Sequence, residues 1–146
     1  MPKLSLFVFF SLFILSCSND PSQKIIQGEI YGTTWQLKYF SDENEVPIKA
    51  LVINELNRID KLFSHYKDDS LTSLINKNKI AYEDVAEEWK KLDQVGWDVH
   101  QQSNGYFNHK VSGDYDFNSF AKGYAVDKVS NILKANNINN FMVEIG

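Results

Sequence analysis

The alternation of apolar and polar positions changes character several times along the chain. Behind Lys3 comes an apolar run, residues 4–15, broken only by Ser5 and Ser11. A helix that crosses a bilayer needs about 18 or more such residues. A shorter run behind a basic residue has the form of a secretory signal. The next stretch, 18–23, is polar and turn-prone, as in a tether. Over 25–40 the period becomes two: Trp35, Leu37 and Tyr39 alternate with Thr34, Gln36 and Lys38. That is the signature of a half-buried strand, with Gly32 at a bend or a close backbone approach.

A helical period follows. Pro47 suits a first helical turn, and Ile48, Leu51, Val52, Leu56, Ile59, Leu62 and Phe63 recur at three- and four-residue steps. From Ser64 the chain reads as a loop rich in Asp, Ser and Asn. A second helix is predicted from about Val85 to Gln102, with Val85, Trp89, Leu92 and Val99 on one side. Asp84 is its expected N-cap and Gly105 marks its exit. A third helix starts near Ala121, with a buried stripe of Ala125, Val129, Ile132 and Leu133 and a stop at Asn136 and Asn137. Residues 141–145 read as a buried strand. Strand, helix, helix, helix, strand is an α+β or α/β order. A buried strand as last element reads as a chain that stops in mid-fold.

Composition narrows the class. A length of 146 residues holds one domain at most, and 43% hydrophobic residues exclude wholesale disorder. The formal net charge of -4 offers no basic face for nucleic acid. Cys17 is the sole cysteine, which excludes an intramolecular disulfide and a cysteine-cluster zinc site. It follows Ile14, Leu15 and Ser16, a sequence that resembles the bacterial lipobox, where the signal is cut before a cysteine that is then lipidated. An ordinary signal peptide with an incidental cysteine is the alternative.

Three polar stretches are not explained by the core pattern: 64–76, 103–108 and 116–127. The last is the most informative. Lys122 and Gly123 fall in the first turn of the third helix, where free N–H groups and the helix dipole favour an anion. A lysine is better placed at the opposite end of a helix. Beside a glycine that permits close approach, it makes sense if a phosphate sits there. Ser119 would cap the helix or donate to that anion. The plainer alternative is a surface lysine with a capping serine. Glycine is too sparse for a P-loop or a dinucleotide fingerprint. His65, His100 and His109 lack ligand-like spacing and read as surface or structural residues. Trp35, Trp89 and Trp97 read as core or partly buried anchors, and Tyr66 or Tyr106 could stack on a flat ring.

Taken in order, these stretches resemble the ApbE family, the FAD:protein FMN transferases. Tyr31-Gly32-Thr33-Thr34-Trp35 is similar to the family's opening strand motif, with Tyr31 where methionine is usual. Ser64, His65, Tyr66, Asp69, Ser70 and Asn76 resemble its Ser-Thr-Tyr, Asp-Ser and Asn pattern, and Ser103, Gly105, Phe107 and Asn108 its Ser-x-Gly-x-Phe-Asp segment. Ala121-Lys122-Gly123-Tyr124-Ala125-Val126-Asp127 is similar to its most specific signature, with Asp116 and Ser119 at the family's spacing before it. Residues 141–146 resemble a strand that leads into a Gly-Gly turn.

The resemblance implies an α+β domain with a mixed sheet and packed helices. It divides the chain into a lipoprotein-type signal (1–16), a tether (17–24) and a partial, truncated transferase domain (25–146). It implies transfer of FMN from FAD to a Thr or Ser hydroxyl of a target protein, with AMP released and Mg²⁺ assisting. Tyr31, Tyr66, Tyr106, Phe107, Asn108, Asp116 and Lys122 would contact the flavin nucleotide, and Ser119 would help hold the metal. The implied partners are FAD and a flavin-accepting protein such as a subunit of a membrane redox complex. The implied location is the periplasmic side of a bacterial membrane, lipid-anchored through Cys17.

Asn108 departs from the usual Asp, and the spacer from Asn108 to Asp116 is shorter than the family's. The later family segments that carry the metal-ligating Asp and Thr are not in this sequence, so residues 17–146 alone are expected not to transfer FMN. The alternative function is a non-enzymatic or inactive periplasmic lipoprotein that keeps a partial flavin-nucleotide site. Replacing Cys17 by Ala is expected to release the protein from membranes or to block its processing. Membrane fractionation with acyl-chain labelling checks this, and a variant that fractionates and acylates like the parent overturns it.

Overall fold

Two residues with left-handed backbone, Tyr31 (φ 55°) and Gly32 (φ 69°), turn the chain back on itself. In the computed structural model, which describes residues 22–41 and 47–146, this turn joins β1 (Ser22–Ile30) to β2 (Thr33–Ser41). The pairing is antiparallel and runs from Ser22 opposite Ser41 to Ile30 opposite Thr33. The single strand expected over 25–40 is therefore a hairpin. A two-residue turn with both φ positive matches the twist of the strands it joins. Tyrosine is not among the residues that announce such a turn, so the sequence pattern runs through it. β1 also begins at Ser22, inside the stretch expected to be tether. The signal segment, Cys17 and residues 17–21 of the tether lie outside the described residues.

β5 (Phe141–Ile145) joins the other side of β2, with Trp35 opposite Ile145 and Tyr39 opposite Phe141. The sheet order is β1-β2-β5, and among the described strands the expected mixed sheet is wholly antiparallel. Trp35, Leu37 and Tyr39 of the central strand are buried. β5 is half-buried rather than buried, because Met142 and Glu144 face away from the core.

α1 (Ile48–Phe63) and α4 (Ala121–Ala135) pack on each other, with β5 against α4 and β1 against α1. Ile48, Val52, Leu56, Ile59 and Phe63 of α1 join Ala125, Val129 and Leu133 of α4 and the β2 residues in one core. Leu51, expected in the apolar stripe of α1, is 38% exposed. α3 (Glu87–Gln102) starts after Ala86 rather than after Asp84, which lies in a 3-10 turn, Tyr82–Asp84. Glu87 and Glu88 fill its first turn, where acids suit the helix dipole. Val99, expected on its buried stripe, is 39% exposed. The loop expected after Ser64 contains a short helix, α2 (Leu71–Asn76), capped by the Ser70 side chain, which accepts from the Ser73 amide. Leu71, Leu74 and Ile75 give it a single apolar turn, too short to stand out as a helix in the sequence.

Between α3 and α4 the chain has only two short strands, β3 (Lys110–Val111) and β4 (Asp114–Tyr115). Phe117 secures this region. It is fully buried, and its ring lies 5.0 Å from Trp89, 5.2 Å from Phe63 and 5.4 Å from Phe120, each at a steep angle. Edge-to-face packing at such distances adds to the burial free energy. Phe117→Ala is expected to cost about 3–5 kcal/mol, read as a lower midpoint in urea unfolding.

A polar clamp joins the three long helices on the surface. Arg58 of α1 donates to Glu88 of α3 at 2.6 and 2.8 Å and to Glu55 at 2.7 and 2.8 Å. Tyr124 of α4 donates to Glu88, and Lys128 lies 3.4 Å from it. The Arg58 hydrogen bonds, against the cost of burial, pull the Glu88 carboxyl from 4.5 down to about 2. A lowered folded-state value stabilises the fold fully above pH 4.5 and loses that contribution as pH falls through about 2. Glu88→Gln is expected to be less stable than the parent at pH 7 by about 1–3 kcal/mol, discounted for the exposed edge of Arg58. The gap should close between pH 4.5 and 2 in chemical-denaturation curves measured across pH.

Candidate functional site

The β1–β2 turn is tied down by its own tyrosine. The Tyr31 hydroxyl donates to the Leu56 carbonyl of α1 at 2.9 Å. Burial, reinforced by the nearby carboxylates of Asp60 and Glu55, pushes this hydroxyl above the usual tyrosine range, so it stays a neutral donor. A bulky residue at positive φ is strained, and this bond is what holds it. Facing the turn is Asp60, 5% exposed, which forms an ion pair with Lys67. Between them opens a cavity of about 660 Å³ lined by Tyr31, Thr33, Asp60, Ser64, Tyr66 and Lys67, among others. A smaller recess of about 50 Å³ shares Tyr31, Asp60, Ser64 and Tyr66 with it and extends to Asn118, Ala121 and Lys122. The cleft thus runs from the hairpin turn to the start of α4.

The first polar stretch spends most of its side chains on backbone. Ser64 Oγ accepts from the amides of Tyr66 and Lys67, both at 3.3 Å. The Ser70 hydroxyl donates to the Ser64 carbonyl. Thr72 donates to the Leu62 carbonyl at 2.8 Å and accepts from Trp89 Nε1 at 2.9 Å. Asn76 pairs with Tyr115 as a strand would, giving and taking a bond at 2.9 Å each. What remains exposed is Tyr66, 77% accessible, its ring 3.8 Å from that of His65. Asn118 Nδ2 lies 3.1 Å from His65 Nδ1 and 3.4 Å from the Tyr66 hydroxyl. His65 Nδ1 is 3.4 Å from Asp116 Oδ1. His65, Tyr66, Asp116 and Asn118 therefore form one group.

Lys122 stands at the start of α4. A Cβ added to Gly146 would lie 2.7 Å from Lys122 Nζ and 3.1 Å from Thr33, so the ammonium rests between the hairpin turn and the Gly146 backbone. Among the described residues it has no acidic partner within ion-pair distance. The N-cap is Phe120, not Ser119, and no side chain caps the helix. The hydrogen-bond pattern leaves the amides of Lys122 and Gly123 without a backbone acceptor among the described residues. A cation beside open amides is a place for an anion.

The other expected site residues divide. Asp116 lines a depression of about 370 Å³ with Phe107, Asn108, Asn118 and Ser119, and a second of about 330 Å³ with His65 and Asn76. Asn108 Oδ1 accepts from the Lys110 amide at 2.9 Å. The Phe107 ring packs on Phe120 and stacks on His109, which makes it chiefly a packing residue. Tyr106, 96% exposed, lines none of these four cavities, because the loop around Gly105 turns it outward. Ser119 has no metal-ligating company: among the described residues no three His, Cys, Asp or Glu side chains converge on a metal position. Cys17 lies outside the described residues.

Sequence reasoning missed Asp60, Lys67, His65 and Asn118. Only Asp60 left a signal, as an acid one turn after Leu56 on the apolar face of α1, where a charge is rarely buried unpaired. Lys67 lies seven residues after Asp60, beyond the end of α1, and His65 and Asn118 stand 53 apart, so neither pairing leaves a local pattern.

The chain matches the model of the ApbE family in two pieces, 31–113 and 109–146, so the match breaks at the β3–β4 hairpin. It is 35% identical over 74 residues to the FAD:protein FMN transferase of Buchnera aphidicola subsp. Schizaphis graminum, spanning 50% of this chain and 22% of that protein. The fold superposes with a TM-score of 0.75 on the flavin transferase ApbE from Vibrio cholerae, at 18% identity over 86% of this chain and 58% of that one. The apo form of the Pseudomonas stutzeri flavinyl transferase ApbE gives the same TM-score at 22% identity, over 86% and 59% of the two chains. The chain thus spans under two thirds of each of these relatives. With both pieces of the family match covering nearly all of residues 31–146, the chain belongs to the ApbE family.

Proposed function

We propose that the protein carrying this chain transfers FMN from FAD to a Thr or Ser hydroxyl of a target protein, and that the cleft from the hairpin turn to α4 holds the nucleotide. The carrying observation is the Lys122 ammonium beside the open amides of α4, next to the exposed ring of Tyr66. In the reaction, the hydroxyl oxygen bonds to the FMN phosphorus and the pyrophosphate bond to AMP breaks. The hydroxyl gives up its proton and AMP leaves. Lys122 and the amides would hold the pyrophosphate and offset its charge. Tyr66 offers a flat face to an aromatic ring, and Asp116 and Asn118 offer polar contacts beside it. Tyr31 shapes the cleft with its ring, but its hydroxyl is committed to Leu56.

Magnesium would supply Lewis-acid assistance in such a transfer. It prefers several oxygen ligands in an octahedral set. Among the described residues Ser119 has no converging acids and does not fit that need. The proposal extends to export, lipid anchoring through Cys17 on the periplasmic side of a membrane, and a flavin-accepting subunit of a membrane redox complex as partner. Its support is the signal-like run and lipobox-like sequence before Cys17.

The test uses the whole gene product that carries these residues, titrated with FAD and then incubated with FAD, Mg²⁺ and a flavin-accepting protein. A fluorescent target band that survives denaturing electrophoresis is expected, and its absence overturns the transferase reading. Lys122→Ala should weaken FAD binding about tenfold to a hundredfold, the loss of one charge-assisted contact. Unchanged affinity removes Lys122 from the phosphate site.

A further inference from the structure

One histidine outside the cleft is more deeply buried than any of the candidate ligand residues. His109 is 1% exposed, and its Nε2 lies 2.6 Å from Asp93 Oδ1. Asp93, 3% exposed on α3, accepts the Tyr82 hydroxyl on its other oxygen at 2.9 Å. A carboxylate that already accepts from Tyr82 makes Nε2 the protonated, donating nitrogen of the ring. His109 Nδ1 is left buried with no hydrogen-bond partner. Trp97, Phe107, Tyr115, Phe117 and Phe120 surround the ring.

The ring also needs a bare stretch of helix. A Cβ at Gly96 would lie 2.6 Å from both Cγ and Nδ1 of His109. Contacts that short do not occur between real atoms, so α3 receives the imidazole only at a glycine. A buried imidazole–carboxylate pair with an orphan nitrogen is costly to desolvate, and its use is to fix one geometry.

What it fixes follows from the backbone. The His109 carbonyl accepts the amide of Asp116 at 2.8 Å. Just beyond, Lys110 and Val111 pair with Tyr115 and Asp114. One residue therefore grips α3 with its side chain and Asp116 with its main chain. The two pieces of the family match meet and overlap at 109–113, at this seat.

We infer that His109, seated on Gly96 and held by Asp93, is a positioning residue that fixes the β3–β4 hairpin and Asp116 against α3, and so sets one wall of the nucleotide site. The functional half rests on the nucleotide reading proposed above, while the seating can be measured without ligand.

The experiment is amide hydrogen exchange on the ligand-free whole protein, with FAD titration beside it. His109→Leu should speed exchange at the Asp116 amide at least about tenfold relative to the amides of Leu56 and Val129, which report on the core. His109→Gln, whose Nε2 can reach the same carboxylate, should restore most of the protection. Tyr82→Phe is the gentler variant if His109→Leu does not fold, since Tyr82 is 41% exposed, and it should act in the same direction by a smaller factor. Losses in FAD affinity from His109→Leu and Asp116→Asn should combine to less than their product, because both act through one group. Unchanged exchange at Asp116, equal acceleration at all three amides, or a Gln variant as loose as Leu overturns the inference. A parent protein that binds no FAD overturns the nucleotide reading alone, since the exchange result decides the seating by itself.

Discussion

The burial of Phe117 is the constraint on which the rest of the site depends. Its ring is shared by α1 through Phe63, by α3 through Trp89 and by the approach to α4 through Phe120. In extended chain, neighbours of a buried residue point the opposite way. Asp116 and Asn118, on either side, are therefore presented outward beside His65 and Tyr66. Large, rigid apolar burial sets the direction of small polar groups that could not hold it themselves. A segment with only two short strands can carry a site because one side chain anchors it at the meeting of three helices.

The polar residues of the family motifs divide by task. Ser64, Ser70, Asn76 and Ser103 bond to backbone and close loops. Asn76 works like an added strand, satisfying both the amide and the carbonyl of Tyr115 where a ladder would otherwise be needed. Tyr124 belongs to the clamp with Glu88 and Arg58, on the helices rather than in the cleft. Lys122, Tyr66, Asp116 and Asn118 are left facing open space. A motif read from sequence mixes residues that make a site with residues that make room for it, and hydrogen-bond partners separate the two.

This division explains what was legible beforehand. α4 and β5 were placed correctly because a strong period and clear stops define them. The hairpin was read as one strand, since a two-residue turn keeps the inward and outward phase of both arms and Tyr31 is no turn signal. α2 is not predicted because its one apolar turn of Leu71, Leu74 and Ile75 is short, and its other support, the Ser70 cap and Thr72 bridging Trp89 to Leu62, has no period. Lys122 was legible because a lysine in a first helical turn contradicts the helix dipole, and a local contradiction is visible in a linear sequence. Asp60 with Lys67, and His65 with Asn118, depend on partners that only folding brings close.

The electrostatic logic of the cleft follows from those unseen partners. The chain carries a net charge of -4, so attraction to an anionic nucleotide must be local. Screening limits such attraction to about 8 Å at physiological salt. Within that range a buried, unpaired Asp60 would oppose any phosphate entering the cleft. Its pairing with Lys67 removes that opposition and uses up the lysine's charge in doing so. Arg58 and Lys128 are engaged with Glu88 on the clamp. Lys122 and the positive end of α4 are then the positive groups left in the cleft, with Glu29 and Asp116 as its remaining acids. Neutralising one buried carboxylate is thus what would let a single exposed lysine hold an anion on an acidic protein.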